Sequence, residues 1–326
     1  MDRKFQEAAS FLTANIRSRL QAAPDAVQST AKEICLRAER PLVVSCLDGA
    51  RFLNRAGEFG RSLPASPYLV TKVELDECVR ILTEYSLHSY KREINAGFLT
   101  VKGGHRAGVS GSAVCGGSQV LSVTDISSIN LRVAREIRGA AAPVARALFS
   151  RGVASTLLVG VPASGKTTLL KDLARILGNG ELGYSKKISL IDERGELAAV
   201  YRGVPQNDVG AQTDVFDGYR KGEGMAIAIR SMSPEVILLD ELAGEQDAAS
   251  IRQSLNAGAA VVASVHAGSL EELARKEHIR ALLEEGAFAH IVLLRGAAAP
   301  CEIARIVSPG ELFARVGQER ELVAVC

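Results

Sequence analysis

The sequence predicts an α/β fold, a doubly wound parallel sheet preceded by a smaller α+β domain. Three observations lead there. Gly160-Val161-Pro162-Ala163-Ser164-Gly165-Lys166-Thr167 follows the pattern glycine, four residues, Gly-Lys-Ser/Thr. The apolar run Thr156 to Val159 enters it, and a helix-forming run from Thr168 to Leu177 leaves it and stops at Gly178. Beyond that point short apolar runs alternate with helical patterns, as strands and crossover helices do in a parallel sheet.

In chain order, the first 135 residues read as the α+β domain and a linker, and 136–326 as the sheet domain. Phe5 to Leu20 and Ala26 to Ala38 read as helices. Leu42 to Leu47 and Ala50 to Leu53 flank Asp48-Gly49, a two-residue hairpin signal. Glu74 to Tyr85 places Leu75, Cys78, Val79 and Leu82 at helical spacing, and a second short helix follows from Ser86 to Asn95. Phe98 to Lys102, Ala107 to Val114 and Val120 to Thr124 form a meander whose turns are Gly103-Gly104 and Gly116-Gly117. Ser127 to Arg138 is expected to link the two parts. A helix then begins at Ala140-Ala141-Ala142-Pro143 and runs into Phe149. The expected sheet strands are Thr156–Val159, Lys187–Ile191, Val236–Leu239, Ala260–Val265 and Ile291–Leu294. Gly203 to Arg220 reads as a long, responsive loop. Residues 302–326 read as a closing hairpin that turns at Ser308-Pro309-Gly310-Glu311.

Composition narrows the function. The chain has 326 residues, 47% hydrophobic and 23% charged, enough for ordinary globular cores. A formal net charge of +2 gives no broad electrostatic case for nucleic acid or an anionic membrane. The six cysteines make no Cys-x-x-Cys pair and no zinc-site spacing, which fits reduced thiols in a cytoplasmic protein. The amphipathic N-terminus lacks the apolar core of a signal peptide, and no apolar run reaches bilayer-spanning length. The sequence therefore predicts a soluble cytoplasmic chain that meets a membrane only through a partner.

Strand, glycine-rich loop and helix are the setting a phosphate-binding loop requires. Loop N–H groups and the positive end of the helix cradle phosphate oxygens. The nucleotide-binding candidates are Gly160, Val161, Pro162, Ala163, Ser164, Gly165, Lys166, Thr167 and Thr168. Lys166 would reach the β- and γ-phosphates, and Thr167 would hold Mg²⁺. Val236-Ile237-Leu238-Leu239 reads as a buried parallel strand that ends in Asp240-Glu241. Ligands in open α/β sheets bind at the carboxyl ends of strands. Asp240 would hold Mg²⁺ and Glu241 would polarise the attacking water. Two other strand ends are polar. Ile188 to Ile191 ends in Asp192-Glu193-Arg194, where Glu193 is a second candidate carboxylate. Ala260 to Val265 ends in His266, a candidate γ-phosphate sensor.

With these motifs the chain resembles the RecA-like secretion ATPases, the hexameric motors of type II and type IV systems. Asp192-Glu193 would be their acidic box, Val236 to Glu241 their Walker B strand, and Ser264-Val265-His266-Ala267-Gly268 their histidine box. Within that class it is similar to the stage III sporulation AA family. The carrying residues are Gly103 to Gly111, Asp125 to Arg135, Ile191 to Ala198, Asp214-Val215 near Gly224-Met225, and Arg230 to Glu235. The resemblance implies a RecA-like P-loop NTPase core and ATP with Mg²⁺ as cofactors. It also implies a hexameric ring of the chain with itself, docked on a membrane-embedded stage III sporulation channel protein between mother cell and forespore. Ala243 and Gly244 stand where secretion ATPases carry an arginine, and Ser264 where they carry threonine.

An arginine that engages the transferred phosphoryl group stabilises the transition state by several kcal/mol. Arg132 and Arg135, three residues apart on one face if helical, are the first candidates, and Arg230 is the next. Arg106 sits in a glycine-flanked turn, where backbone freedom lets it approach a ligand. The competing readings are a nucleic-acid-dependent ATPase and a P-loop kinase or GTPase. The N-terminal part lacks the basic, aromatic face used to stack on bases. No Asn-Lys-x-Asp guanine-reading motif occurs, and Asp240-Glu241 with His266 suits water activation.

Overall fold

The computed structural model describes residues 1–116 and 119–315. The chain divides into two compact units, Met1–Arg135 with Tyr201–Gln206, and Glu136–Val200 with Asn207–Cys326.

The first unit opens with three short helices, α1 (Arg3–Ala9), α2 (Ala14–Gln21) and α3 (Asp25–Thr30). They are followed by the strands β1 (Ala31–Arg37), β2 (Arg40–Pro41), β3 (Val43–Cys46), β4 (Gly49–Leu53), β5 (Phe59–Gly60) and β6 (Leu69–Val70). Helices α4 (Lys72–Leu82) and α5 (Lys91–Asn95) precede β7 (Phe98–Thr100), β8 (Arg106–Gly116) and β9 (Gln119–Arg132). The main sheet has the order β5-β4-β3-β1-β9-β8-β7, and its pairs are antiparallel.

Several expectations change here. The single helix expected over Phe5 to Leu20 is two, because the chain turns between Ala9 and Ala14. The Ser10 hydroxyl donates to the Glu7 carbonyl at 2.6 Å, a local bond that competes with helix continuation. The helix expected over Ala26 to Ala38 ends at Thr30, and Ala31–Arg37 is a central strand hydrogen-bonded to β3 and β9. Two sheet neighbours there outweigh local helix propensity. The hairpin closes on the pair Cys46 and Gly49, so its two loop residues are Leu47 and Asp48. Ser127 to Arg132 is not a linker but the second half of β9. Gly117 of the expected Gly116-Gly117 turn lies outside the described residues.

The second unit runs α6 (Ala142–Phe149), β10 (Thr156–Gly160), α7 (Lys166–Asn179), β11 (Ile188–Asp192), β12 (Thr213–Asp217), α8 (Lys221–Met232) and β13 (Val236–Leu239). It continues with α9 (Glu245–Asn256), β14 (Ala260–His266), α10 (Leu270–Arg275), α11 (Glu277–Glu284), β15 (His290–Leu294) and β16 (Ile303–Val307). The sheet order is β12-β11-β13-β14-β10-β15-β16, parallel except for β16.

Both faces of this sheet are covered, which explains the continuous apolar runs of its strands. Leu157, Val159, Ile237 and Leu239 join the core under α8, α9, α10 and α11. Their alternate neighbours Leu158, Val236 and Leu238 join a second core under α6 and α7. The segment expected as one long loop, Gly203 to Arg220, contains the edge strand β12, paired in parallel with β11. Its first four residues belong to Tyr201–Gln206, which clusters with the first unit. Ile303–Val307 pairs with β15, but 309–315 is helical, so Ser308 to Glu311 starts a helix instead of turning a hairpin. The remainder of that expected hairpin, 316–326, lies outside the described residues. No helix among the described residues is long and apolar enough to cross a membrane.

Candidate active site

Strand order decides what meets at the carboxyl edge of the second sheet. β11, β13, β14 and β10 are consecutive neighbours, so Asp192, Asp240, His266 and Gly160 fall along one line. Gly160 is in register with His266, and Leu239, just before Asp240, with Ala263.

The loop from Val161 to Gly165 turns tightly between β10 and α7. Ala163 has φ 62° and Gly165 φ 93°, both in the left-handed region. A Cβ at Gly165 would stand 2.6 Å from the Cys301 backbone nitrogen, so glycine is required there by space as well as by φ. The Ser164 hydroxyl is buried within the loop and has no hydrogen-bond partner among the described residues. Lys166 opens α7 and turns back over the loop, with its side chain buried. Its Nζ donates to the carbonyls of Gly160 (2.7 Å) and Val161 (2.9 Å) and lies 3.0 Å from His266 Nδ1. Burial pushes the Lys166 ammonium below its ordinary pKa, against the opposing pull of the Asp240 and Glu241 carboxylates.

Thr167 and Asp240, 73 residues apart in sequence, meet: Thr167 Oγ1 donates to Asp240 Oδ2 at 2.8 Å. The buried Ser264 hydroxyl donates to the other Asp240 oxygen and accepts the Glu241 N–H at 2.9 Å. Glu241 has φ 48°, a conformation that is costly for a side-chain-bearing residue and is held here by that bond. Its carboxylate accepts from Arg194 Nη1 at 2.7 Å and lies 3.4 Å from His266 Nε2. His266 thus stands between Lys166 and Glu241.

The other strand-end acids are engaged differently. Asp192 is buried and accepts the backbone N–H groups of Glu196 (2.9 Å), Leu197 (3.1 Å) and Ala198 (2.8 Å). It shapes the turn after β11. Burial pushes its carboxyl up despite those three donors. Glu193 pairs with Lys221 at the start of α8 at 2.8 Å. A pocket opens at this edge, lined by Glu193, Arg194, Glu196, Lys221, Asp240 and Glu241.

Of the four arginines singled out in the sequence, Arg106, Arg132 and Arg135 belong to the first unit. Arg132 is in β9, not a helix, and pairs with Glu33 of β1 at 2.9 Å. Arg135 donates to the carbonyls of Gln28 (2.7 Å) and Ala31 and pairs with Asp2. Arg106 stacks its guanidinium 3.5 Å above the Phe98 ring. Arg230 is exposed in the last turn of α8, nine residues and about 13 Å of helix from Lys221 at the pocket end. The sequence named Ser264 and Arg194 only as members of motifs, with no contact of their own, and did not single out Lys221. Ser264 was legible as sharing a strand face with His266 two residues on. Arg194 directly follows the acidic pair. Lys221 carried no signal while β12 was read as loop.

The donors fit the nucleotide and metal expected of this motif. A buried unpartnered hydroxyl and a helix start suit phosphate oxygens. Thr167 and Asp240 offer the hard oxygen ligands that Mg²⁺ takes.

Residues 1–310 match the family described as sporulation stage III, protein AA. This chain belongs to that family. Stage III sporulation protein AA of Bacillus subtilis (strain 168) is 32% identical over 301 residues, which is 92% of this chain and 94% of that protein. An uncharacterised protein, ycf45 of Porphyra purpurea, is 29% identical over 160 residues, 48% of this chain and 27% of its own length. Among solved structures, the Legionella pneumophila ATPase DotB aligns with a TM-score of 0.53 at 13% identity, covering 89% of this chain and 74% of its own. The pilus retraction motor PilT with bound ADP aligns with a TM-score of 0.53 at 16% identity, covering 82% and 75%. Likeness at such identity is one of fold: this stage III AA family member shares the α/β fold of those two proteins.

Proposed function

We propose that this chain is a Mg²⁺-dependent ATPase of the secretion-motor type, which energises a sporulation-associated channel or assembly between mother cell and forespore. One observation carries the chemistry. Thr167 of the P-loop sequence and Asp240 at the end of β13 hydrogen-bond at 2.8 Å, beside Lys166 and Glu241. Gly160 to Thr168 cradle the phosphates, and Lys166 gives up its carbonyl partners for phosphate oxygens. Thr167 and Asp240 hold Mg²⁺, which when bound neutralises charge on the phosphates. Glu241 orients water, and His266, between Lys166 and Glu241, reports the γ-phosphate. Asp192 supports the turn, and Glu193 is the reserve carboxylate.

The sporulation role rests on family membership, and the motor role on a fold shared with an ATPase and a pilus motor. A hexameric ring docked on a membrane-embedded stage III channel protein completes the proposal. Arg132, Arg135 and Arg230 are its candidate arginines across a subunit boundary. Steady-state ATP hydrolysis with Mg²⁺, compared between the native chain and Glu241→Gln, tests the chemistry. A native chain without turnover, alone or with its membrane partner, overturns it.

A further inference from the structure

The Arg194–Glu241 contact joins the turn after β11 to the end of β13 across 47 residues of sequence. Arg194 directly follows the acidic pair Asp192-Glu193 and has no role in the proposed chemistry. Glu241 needs external restraint for two reasons. Its backbone sits at φ 48°, and its side chain is about 30% exposed, so it is only partly enclosed. Arg194 Nη1 donates to Oε2 at 2.7 Å, and His266 Nε2 lies 3.4 Å from Oε1. Arg194 is itself placed by Asp192, whose three accepted N–H groups fix the turn from Glu196 to Ala198 just beyond it. Lys221, the other cation lining the pocket, is taken by Glu193.

We propose that Arg194 is the positioning residue for Glu241, holding its carboxylate where water must be oriented. The inference rests on the proposed ATPase function. A group held in place contributes through orientation, and releasing it lowers the chemical step without altering ground-state binding. Arg194 engages Glu241 through one nitrogen, not a bidentate fork, so a lysine ammonium can replace it.

The experiment uses the full chain, with ATP turnover and the affinity of a fluorescent non-hydrolysable ATP analogue measured side by side. Arg194→Ala is expected to lower kcat about tenfold with KM and analogue affinity unchanged. Arg194→Lys should recover most of the rate, and Arg194→Ala with Glu241→Gln should be no slower than Glu241→Gln alone. Native turnover with an Arg194→Ala variant of equal or higher kcat overturns the inference and leaves the function standing. Analogue affinity that falls together with kcat also overturns it, because Arg194 would then touch the nucleotide. No turnover by the native chain overturns the function, and the inference with it.

Discussion

Lys166 is a buried cation with a temporary set of partners. Its ammonium is satisfied by two loop carbonyls and His266, so burial is tolerated without a carboxylate in direct contact. A phosphate can replace those carbonyls with charged oxygens, which makes stronger hydrogen bonds. Lys166→Ala should therefore lose nucleotide binding by calorimetry while the fold, followed by circular dichroism, persists. Glu241→Gln should keep nucleotide affinity and lose at least about a hundredfold in turnover, the usual contribution of a positioned base. Full turnover in that variant would move the role to Glu193. Asp192 belongs to a different class despite its place in the acidic pair. Removing it strands the buried N–H groups of Leu197 and Ala198 at about 1–3 kcal/mol each. Asp192→Ala should thus show a melting temperature several degrees lower, whatever happens to catalysis.

At the scale of elements, α4 carries a pH-dependent contribution. Thr71 and Glu74 form a capping box, and Glu74 also accepts from Tyr68 and Asn15. Burial pushes the Glu74 carboxyl up, but these donors outweigh it and hold it below the ordinary value of 4.5. A carboxyl depressed in the folded state adds stability that is present above its unfolded pKa and lost as pH falls through the folded one. Stability should fall in acid below pH 4.5, and Glu74→Gln should flatten that part of the curve. The elements also show where sequence reading reaches its limit. Val236 to Leu239 and Thr156 to Val159 were legible because strands buried on both faces are apolar throughout. Ala31–Arg37 was not, because its strand state comes from β3 and β9, segments distant in sequence. Nor was Thr213–Asp217, a half-exposed edge strand with one neighbour and little apolar signal.

For the whole molecule, the proposed motor requires assembly. Light scattering of the chain with a non-hydrolysable ATP analogue and Mg²⁺ should report a ring, and a monomer under all nucleotide conditions would speak against a secretion-type motor. The sequence by itself determined the glycine-rich loop from Gly160 to Thr167, the acids at strand ends and the parallel α/β class. Each is a local pattern, in which spacing along the chain is the physical constraint. Only the tertiary structure decided how those pieces are used. It put Thr167 on Asp240, made Ser264 the bridge between Asp240 and the Glu241 backbone, and set Arg194 against Glu241. It also gave Asp192 to a backbone turn and kept Arg132 and Arg135 in bonds within the first unit. The reason is that strand order and register are set by pairing between distant segments, and these contacts exist only once that pairing is made.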